Sequence, residues 1–388
     1  MAYNRKQRLN DNIKAIETAF ILDREQRTPT ARERLLLERY CGFGGLKCIL
    51  NPARELADAV HWAKSDLELF APTVELHRLI RENSKNESEY KQLMDSLKQS
   101  VLTAFYTPSA VTEALTDVLK EHQIIPEKVL EPSAGIGAFV DSVLDNNPKA
   151  DIMAFEKDLL TGKILHHLHP EQKVRIEGFE KIEKPFNDYF DLAISNIPFG
   201  DVAVFDPSYT AMKGMRALVT RRIHNYFFVK ALDTVRDGGL VAFITSQGVL
   251  NAKNNSAARF MMLYHADLVS AIRLPNNLFT ENANTEVGSD LIILQKNSQK
   301  ESLRGDDNLL DTVYNDENRI PTNNYFLEHP ERIIHTTAKL DTDPFGKPAM
   351  IYTHEDGVEG IAEDLRKMLH EDFKRNLHLN RYLGIEET

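Results

Sequence analysis

The chain has 388 residues, of which 42% are hydrophobic and 27% charged, and a formal net charge of −11. That length accommodates two or three domains around a large core, and that charge excludes a general nucleic-acid coat protein while leaving room for a DNA enzyme whose basic surface is local. Two cysteines, Cys41 and Cys48, exclude a disulfide framework. No Cys/His spacing resembles a zinc site, no apolar run is long enough to span a bilayer, and the start Met1–Lys6 lacks a signal-peptide apolar region, so a reducing cytoplasm is expected.

Residues 1–100 read as a helical amino-terminal region. Leu9, Ile13, Ile16 and Phe20 recur at helical spacing, with Asn10 or Asp11 as cap. Thr30-Ala31-Arg32-Glu33 fits a capping box ahead of Leu35, Leu36 and Leu37. Cys41-Gly42-Phe43-Gly44-Gly45-Leu46 then breaks the pattern. Its glycines either cradle a phosphate or end a helix in a tight turn, and the second is the more ordinary use. From Pro52 to Ser100 the chain is charged and amphipathic, most simply a solvated face.

From residue 101 to about 300, strands alternate with helices in a doubly wound α/β pattern with right-handed crossovers expected. Phe105-Tyr106-Thr107-Pro108 precedes a helix with Val111, Leu115, Val118 and Leu119 on one face. A short strand, Lys128 to Pro132, runs into Ser133-Ala134-Gly135-Ile136-Gly137, a glycine-rich turn that opens a helix from about Ala138 to Asn146. Such a turn lets the backbone approach a ligand, and the helix start favours a carboxylate or phosphate. The turn fits neither the dinucleotide fingerprint nor a Walker A loop. The second strand, Asp151–Phe155, ends in Glu156, where an acid can take both hydroxyls of a ribose. A third strand at Val174–Ile176 leads to Glu177-Gly178-Phe179-Glu180. The fourth, after Phe190-Asp191, ends in Asn196-Ile197-Pro198-Phe199-Gly200, because Pro198 and Gly200 stop the strand. The Asn196 amide oxygen and the Ile197 carbonyl offer two acceptors and Phe199 a flat face, a set that suits a heterocycle bearing an amino group, such as adenine. A helix from Asn225 to Val235 and strands at Gly238–Thr245, Leu268–Pro275 and Asp290–Gln295 complete the pattern.

Over roughly residues 101–300, the order of these motifs resembles the amino-group DNA methyltransferases of the gamma arrangement, which make N6-methyladenine. The matching motifs are Tyr106-Thr107-Pro108, the run from Glu131 to Gly137, and Asn196-Ile197-Pro198-Phe199 in place of Asn-Pro-Pro-Tyr/Phe. Leu274-Pro275-Asn276-Asn277-Leu278-Phe279 is similar to the methylation subunits of type I restriction systems. Tyr40 to Lys47, Asn196 to Asp201 and Tyr325 to Glu331 are similar to the methylase module of helicase–methylase fusions of phages and mobile elements. The resemblance implies a Rossmann-like methyltransferase domain at 101–300, between the helical region and a short α+β tail at 301–388, with S-adenosylmethionine as cofactor and DNA as substrate. Thr107, with Tyr106, is implied to bind the methionine carboxylate. Glu131, Pro132, Ala134, Gly135 and Gly137 are implied to hold the methionine end, and Glu156 the ribose. The family often places an acid for the cofactor adenine where Gly178 stands, so Glu177, Glu180 or the Phe179 backbone is left to substitute. Ile197 replaces the first proline of the catalytic motif but contributes only its carbonyl. The target adenine is expected to leave the duplex and stack on Phe199.

Lys213, Arg216, Arg221 and Arg222 follow the catalytic turn and either bind phosphates or pair with surface acids. Beyond a linker around Ser302–Asp311, Ile333–Thr336 and Ala349–Tyr352 read as strands joined by a turn at Asp343-Pro344-Phe345-Gly346, before a helix from Val358 to Phe373. With so short a tail, the expectation is either low specificity or sequence choice supplied by a specificity or helicase partner. The competing functions are methylation of RNA or protein glutamine, and a non-catalytic DNA-binding or anti-restriction protein that keeps the cofactor fold.

Overall fold

The computed structural model describes residues 4–103, 106–212, 214–280, 287–303, 307–314, 319–343 and 346–385. Strands β1 (Lys128–Glu131), β2 (Asp151–Phe155), β3 (Lys173–Arg175), β4 (Phe190–Asn196), β5 (Val235–Ser246), β6 (Ala266–Leu274) and β7 (Ser289–Lys296) form one sheet in the order β3-β2-β1-β4-β5-β7-β6. The first five are parallel, and β7 runs antiparallel between β5 and β6. The order reverses between β1 and β4. Ligands of open α/β sheets sit at the carboxyl ends of the strands beside such a reversal.

The strands hold together because successive side chains serve two cores. Val129, Ile152, Leu192, Ile194, Ala242 and Ile244 face one, while Leu130, Met153, Ala193, Val241 and Phe243 face the other. The first core is roofed by α5 (Ser109–Glu121), α6 (Ala138–Asn146) and the long helix Gly357–Asn376, and the second by the helices Ile223–Thr234 and Ser256–His265. The helix Gly357–Asn376 buries Ile361, Leu365, Leu369 and Phe373 at helical spacing, each contributing about 1.5–3 kcal/mol. The tail helix is therefore packed against the sheet. Asp372 accepts from Ser270 at 2.7 Å, and Gln295 donates to the His378 carbonyl at 3.0 Å.

The amino-terminal helices α1 (Arg5–Glu25), α2 (Ala31–Glu38), α3 (Phe70–Glu82) and α4 (Glu87–Thr103) form a layer against α7 (Leu159–Leu168), the helix that follows β2. Asp23 receives Lys163 at 2.5 Å and His167 at 2.7 Å, and Arg34 donates to the Leu168 carbonyl at 2.7 Å. The layer reaches Tyr106 and Ile136.

Several sequence expectations shift. α1 is capped by Asn4, whose side chain accepts from the Gln7 amide, not by Asn10 or Asp11. The helix Ser256–His265 was not anticipated. In the tail, Ile333–Thr336 is not the first strand of the hairpin. Ile334 instead donates to the Arg273 carbonyl at 3.0 Å, and the hairpin pairs Thr337–Thr342 with Pro348–Thr353. The centre of its expected turn, Pro344-Phe345, lies outside the described residues, as does Phe105.

Candidate active site

The ends of β1, β2, β3 and β4 and the segment Tyr106–Pro108 ahead of α5 build the site. After β1, the chain turns through Ser133–Gly137. The Ala134 amide donates to the Phe155 carbonyl and the Gly137 amide to the Ala134 carbonyl, each at 2.8 Å. Gly135 has φ +57°, and a Cβ there would stand 2.8 Å from Tyr106 Cε1, so both conformation and contact require glycine. The tip of β2 closes on the same turn. Glu156 accepts from the Gly135 amide at 2.8 Å and from the Asp158 amide at 2.7 Å. Burial and the neighbouring Asp158 push its carboxyl up to about 8, against the pull of those amides.

Glu131, at the end of β1, is 1% exposed, and neither of its oxygens makes a hydrogen bond of good geometry among the described residues. Burial holds its carboxyl well above the usual range; the Ser195 hydroxyl and the Ser133 amide offset this only in part. Thr107 is also buried, and its hydroxyl makes no hydrogen bond among the described residues. Buried polar atoms are normally satisfied, so two such groups beside a glycine turn point to a polar ligand that completes them. Pro132 and Ala134 are both buried, lining the turn without polar side chains.

β3 leads to Gly178, where a Cβ would collide with the Glu180 carboxylate folded back over it. Glu180 thus occupies the space that an acid at 178 would take. Its side chain is 17% exposed, with Lys157 Nζ at 3.8 Å. The Phe179 ring points the other way, into the core against Phe155 and Phe227, so only its backbone is available to a ligand.

β4 ends at Asn196, whose Oδ1 is enclosed. The Ile197 amide continues the ladder to the Ile244 carbonyl at 3.0 Å, and the buried Ile197 side chain anchors the turn. Pro198 then offers no amide. The half-buried Phe199 ring meets Phe279 edge-on, with centroids 6.3 Å apart. Phe279 fixes the plane of Phe199, a supporting role that its place after Leu274-Pro275 signalled only by resemblance.

Of the four basic residues, Lys213 lies outside the described residues. Arg216 is paired with Asp233 at 2.5 Å, and Arg222 with Asp201 at 2.7 Å and with the Asn254 and Asn255 side chains. Arg221 is exposed. Asp201 and its Arg222 clamp were not found from sequence. A cleft of about 330 Å³ lies farther along the same edge of the sheet, lined in part by Gln247, Asn251, Lys347 and Tyr352.

The sequence profile of the N-6 DNA methylase family matches residues 88–352. The chain belongs to the N-6 DNA methylase family. It is 29% identical over 201 residues to the Defense against restriction protein B of Escherichia phage P1, covering 50% of this chain and 8% of that protein. It is 24% identical over 173 residues to the type II methyltransferase M.XamI of Xanthomonas campestris pv. amaranthicola, covering 41% of this chain and 33% of that protein. The aligned stretch is thus less than two thirds of either relative. Among solved structures, the ATP-dependent type ISP restriction-modification enzyme LlaBIII bound to DNA aligns with 95% of this chain and 27% of its own, at 13% identity and a TM-score of 0.42. An N-6 DNA methylase is an S-adenosylmethionine-dependent methyltransferase, and the residues present fit that cofactor. Thr107 and Glu131 are polar groups that it would complete, and Glu156 stands at the turn with its carboxyl oriented by two amides. No helix among the described residues is long and apolar enough to cross a membrane.

Proposed function

We propose that this methyltransferase methylates the N6 amino group of adenine in DNA, on a base swung out of the duplex. The observation that carries this reading is the end of β4. An enclosed amide oxygen and a carbonyl on a proline-stiffened turn stand next to a half-buried aromatic ring. The cofactor supplies a methyl group on a sulfonium centre.

Adenine's exocyclic nitrogen is a weak nucleophile because its lone pair is delocalised into the ring. Asn196 Oδ1 and the Ile197 carbonyl, accepting its two N–H groups, localise that pair. Pro198 keeps Ile197 extended so that the carbonyl stays aimed, and Phe199, backed by Phe279, stacks on the base. The contribution is positioning and fixed dipoles. On the cofactor side, Tyr106, Thr107, Glu131, Pro132, Ala134, Gly135 and Gly137 hold the methionine end and Glu156 the ribose. Glu180, folded over Gly178, receives the cofactor adenine. Because the chain corresponds to part of each relative, we assign sequence choice to a partner chain or further segment.

The test is digestion of plasmid DNA to nucleosides after incubation with S-adenosylmethionine, read by mass spectrometry. Wild type is expected to make N6-methyladenine. Asn196→Ala should lose about 10²-fold or more in rate, the scale of losing one preorganised polar partner, while cofactor binding persists. Methylation of RNA or of protein glutamine, with DNA untouched, would replace the substrate in this reading. Cofactor binding with no product on any of them would sink it.

A further inference from the structure

The segment after the catalytic turn, from Asp201 to Asp206, is anchored at three points and yet presents an apolar ridge to solvent. Asp201 is clamped by Arg222 at 2.7 Å. The Val204 amide donates to the Thr220 carbonyl at 2.8 Å. The buried Asp206 carboxylate receives the Tyr226 hydroxyl at 2.7 Å and Lys230 at 3.2 Å, and it caps the following helical turn through the Ser208 amide at 2.8 Å. Between the last two anchors, Phe205 is 79% exposed, and Val202, just after the first, is 60% exposed. Two aromatic residues that follow this segment, Tyr209 and Tyr226, are buried to 3% exposure or less. A core was therefore within reach, and Phe205 is held out of it by a backbone fixed on both sides.

Two observations say what such a ridge meets. It follows the proposed adenine site by only a few residues. Its rim is also cationic in a chain of net charge −11. Arg221 and Lys253 are both exposed, and no ion pair holds either side chain among the described residues. Lys253 adjoins Asn254, which accepts from Arg222 at 2.6 Å, so both cations flank the clamp. An apolar residue on an anchored backbone near exposed cations matches a base stack, into which apolar wedges insert and unstack one step.

We propose that Phe205, flanked by Val202, is a wedge that enters the DNA stack beside the flipped adenine and keeps the emptied position from closing. The proposal rests on the DNA reading above, and the test separates the two. Methylation rates of wild type, Phe205→Ala and Phe205→Trp are measured on a closed circular duplex and on the single-stranded circular form of the same DNA. Single strands have no paired stack to hold open. Phe205→Ala should therefore lose about tenfold on duplex, the scale of one base–aromatic contact, and keep its rate on single strands, with Phe205→Trp restoring the duplex rate. Equal losses on both forms, or no loss on either, overturn the wedge; the second result would leave the ridge to a protein partner.

A second readout needs no methyl transfer. With a relaxing topoisomerase present, wild type should leave the closed circle unwound, and Phe205→Ala should not. If wild type methylates neither form, the DNA reading fails, and the unwinding difference still decides whether Phe205 enters the stack. Absence of that difference overturns the wedge.

Discussion

Two turns of this chain carry the same outward signature, glycines around a single bulky residue, and they are used in opposite ways. In Cys41–Leu46 the bulky residue, Phe43, is fully buried and two of the amides bond to side chains of the helical layer. The Cys41 amide donates to Asn12 Oδ1 at 2.9 Å, Phe43 to the Ser100 hydroxyl at 3.2 Å, and Asn12 Nδ2 donates to the Gly42 carbonyl at 2.7 Å. These bonds tie the turn to α1 and α4 and lock the helical layer together. In Ser133–Gly137 the turn leaves a strand end at the sheet's reversal, and its neighbours Thr107 and Glu131 carry buried atoms that make no hydrogen bond of good geometry among the described residues. Glycine content alone does not distinguish the two. What separates them is whether the chain itself already satisfies the turn and the polar groups around it.

The widest way to break this comparison is at Asn12, which is fully buried. Asn12→Ala leaves the partly buried Cys41 amide and the buried Gly42 carbonyl without their partner, and should cost about 2–4 kcal/mol of folding stability. Chemical denaturation measures it. Binding of S-adenosylmethionine by the protein that remains folded should be unchanged. If the cofactor affinity fell with the stability, the first turn would be part of the site after all.

Gly135→Ala is the mirror experiment. Its left-handed conformation disfavours a Cβ by about 1–2 kcal/mol, and the methyl group would press on Tyr106. Cofactor affinity should drop about tenfold or more by calorimetry, with a smaller change in stability than at Asn12. A variant that lost stability and kept its affinity would reverse the assignment of the two turns.

Much of this was legible in the sequence because the signals are local. A buried strand followed by Pro198 and Gly200 ends where it reads as ending, and β2 and α6 fall on their expected residues. Signals failed where partners come from far away or where no polarity contrast exists. The helix Ser256–His265 is apolar on most sides, and its Arg259 is 1% exposed, reaching the carbonyls of Val249, Ala252 and Leu310. A charge inside and no polar face leave no periodicity to read. The strand Thr337–Thr342 is exposed at every position, so hydrophobicity pointed to the buried Ile334 next to it. Arg216 and Arg222 look like a phosphate-binding run until the fold brings Asp233 and Asp201 to them. Gly178 looked like a lost acid because nothing local shows that Glu180 folds back over it.

The subtlest expected effect concerns pH and again divides the two turns. Glu156, accepting from the Gly135 amide, has its carboxyl pushed up to about 8, above its ordinary value of 4.5. The folded protein therefore holds a proton there that the unfolded chain releases. Its contribution to stability is favourable at low pH and is lost as pH climbs from about 4.5 through 8. Ribose hydroxyls donate to the anion, so binding should expel that proton near neutrality, and cofactor affinity should rise between pH 6.5 and 8.5 on the side of deprotonation. Glu156→Gln cannot titrate. It should flatten both slopes, the fall in cofactor-free stability and the rise in affinity, while binding more weakly than wild type at the upper end. Proton release is read directly by calorimetry in buffers of different ionisation enthalpy. An affinity that stayed flat with pH in wild type would mean that Glu156 serves the turn's own amides and not a ligand, which would make Ser133–Gly137 as self-satisfied as Cys41–Leu46.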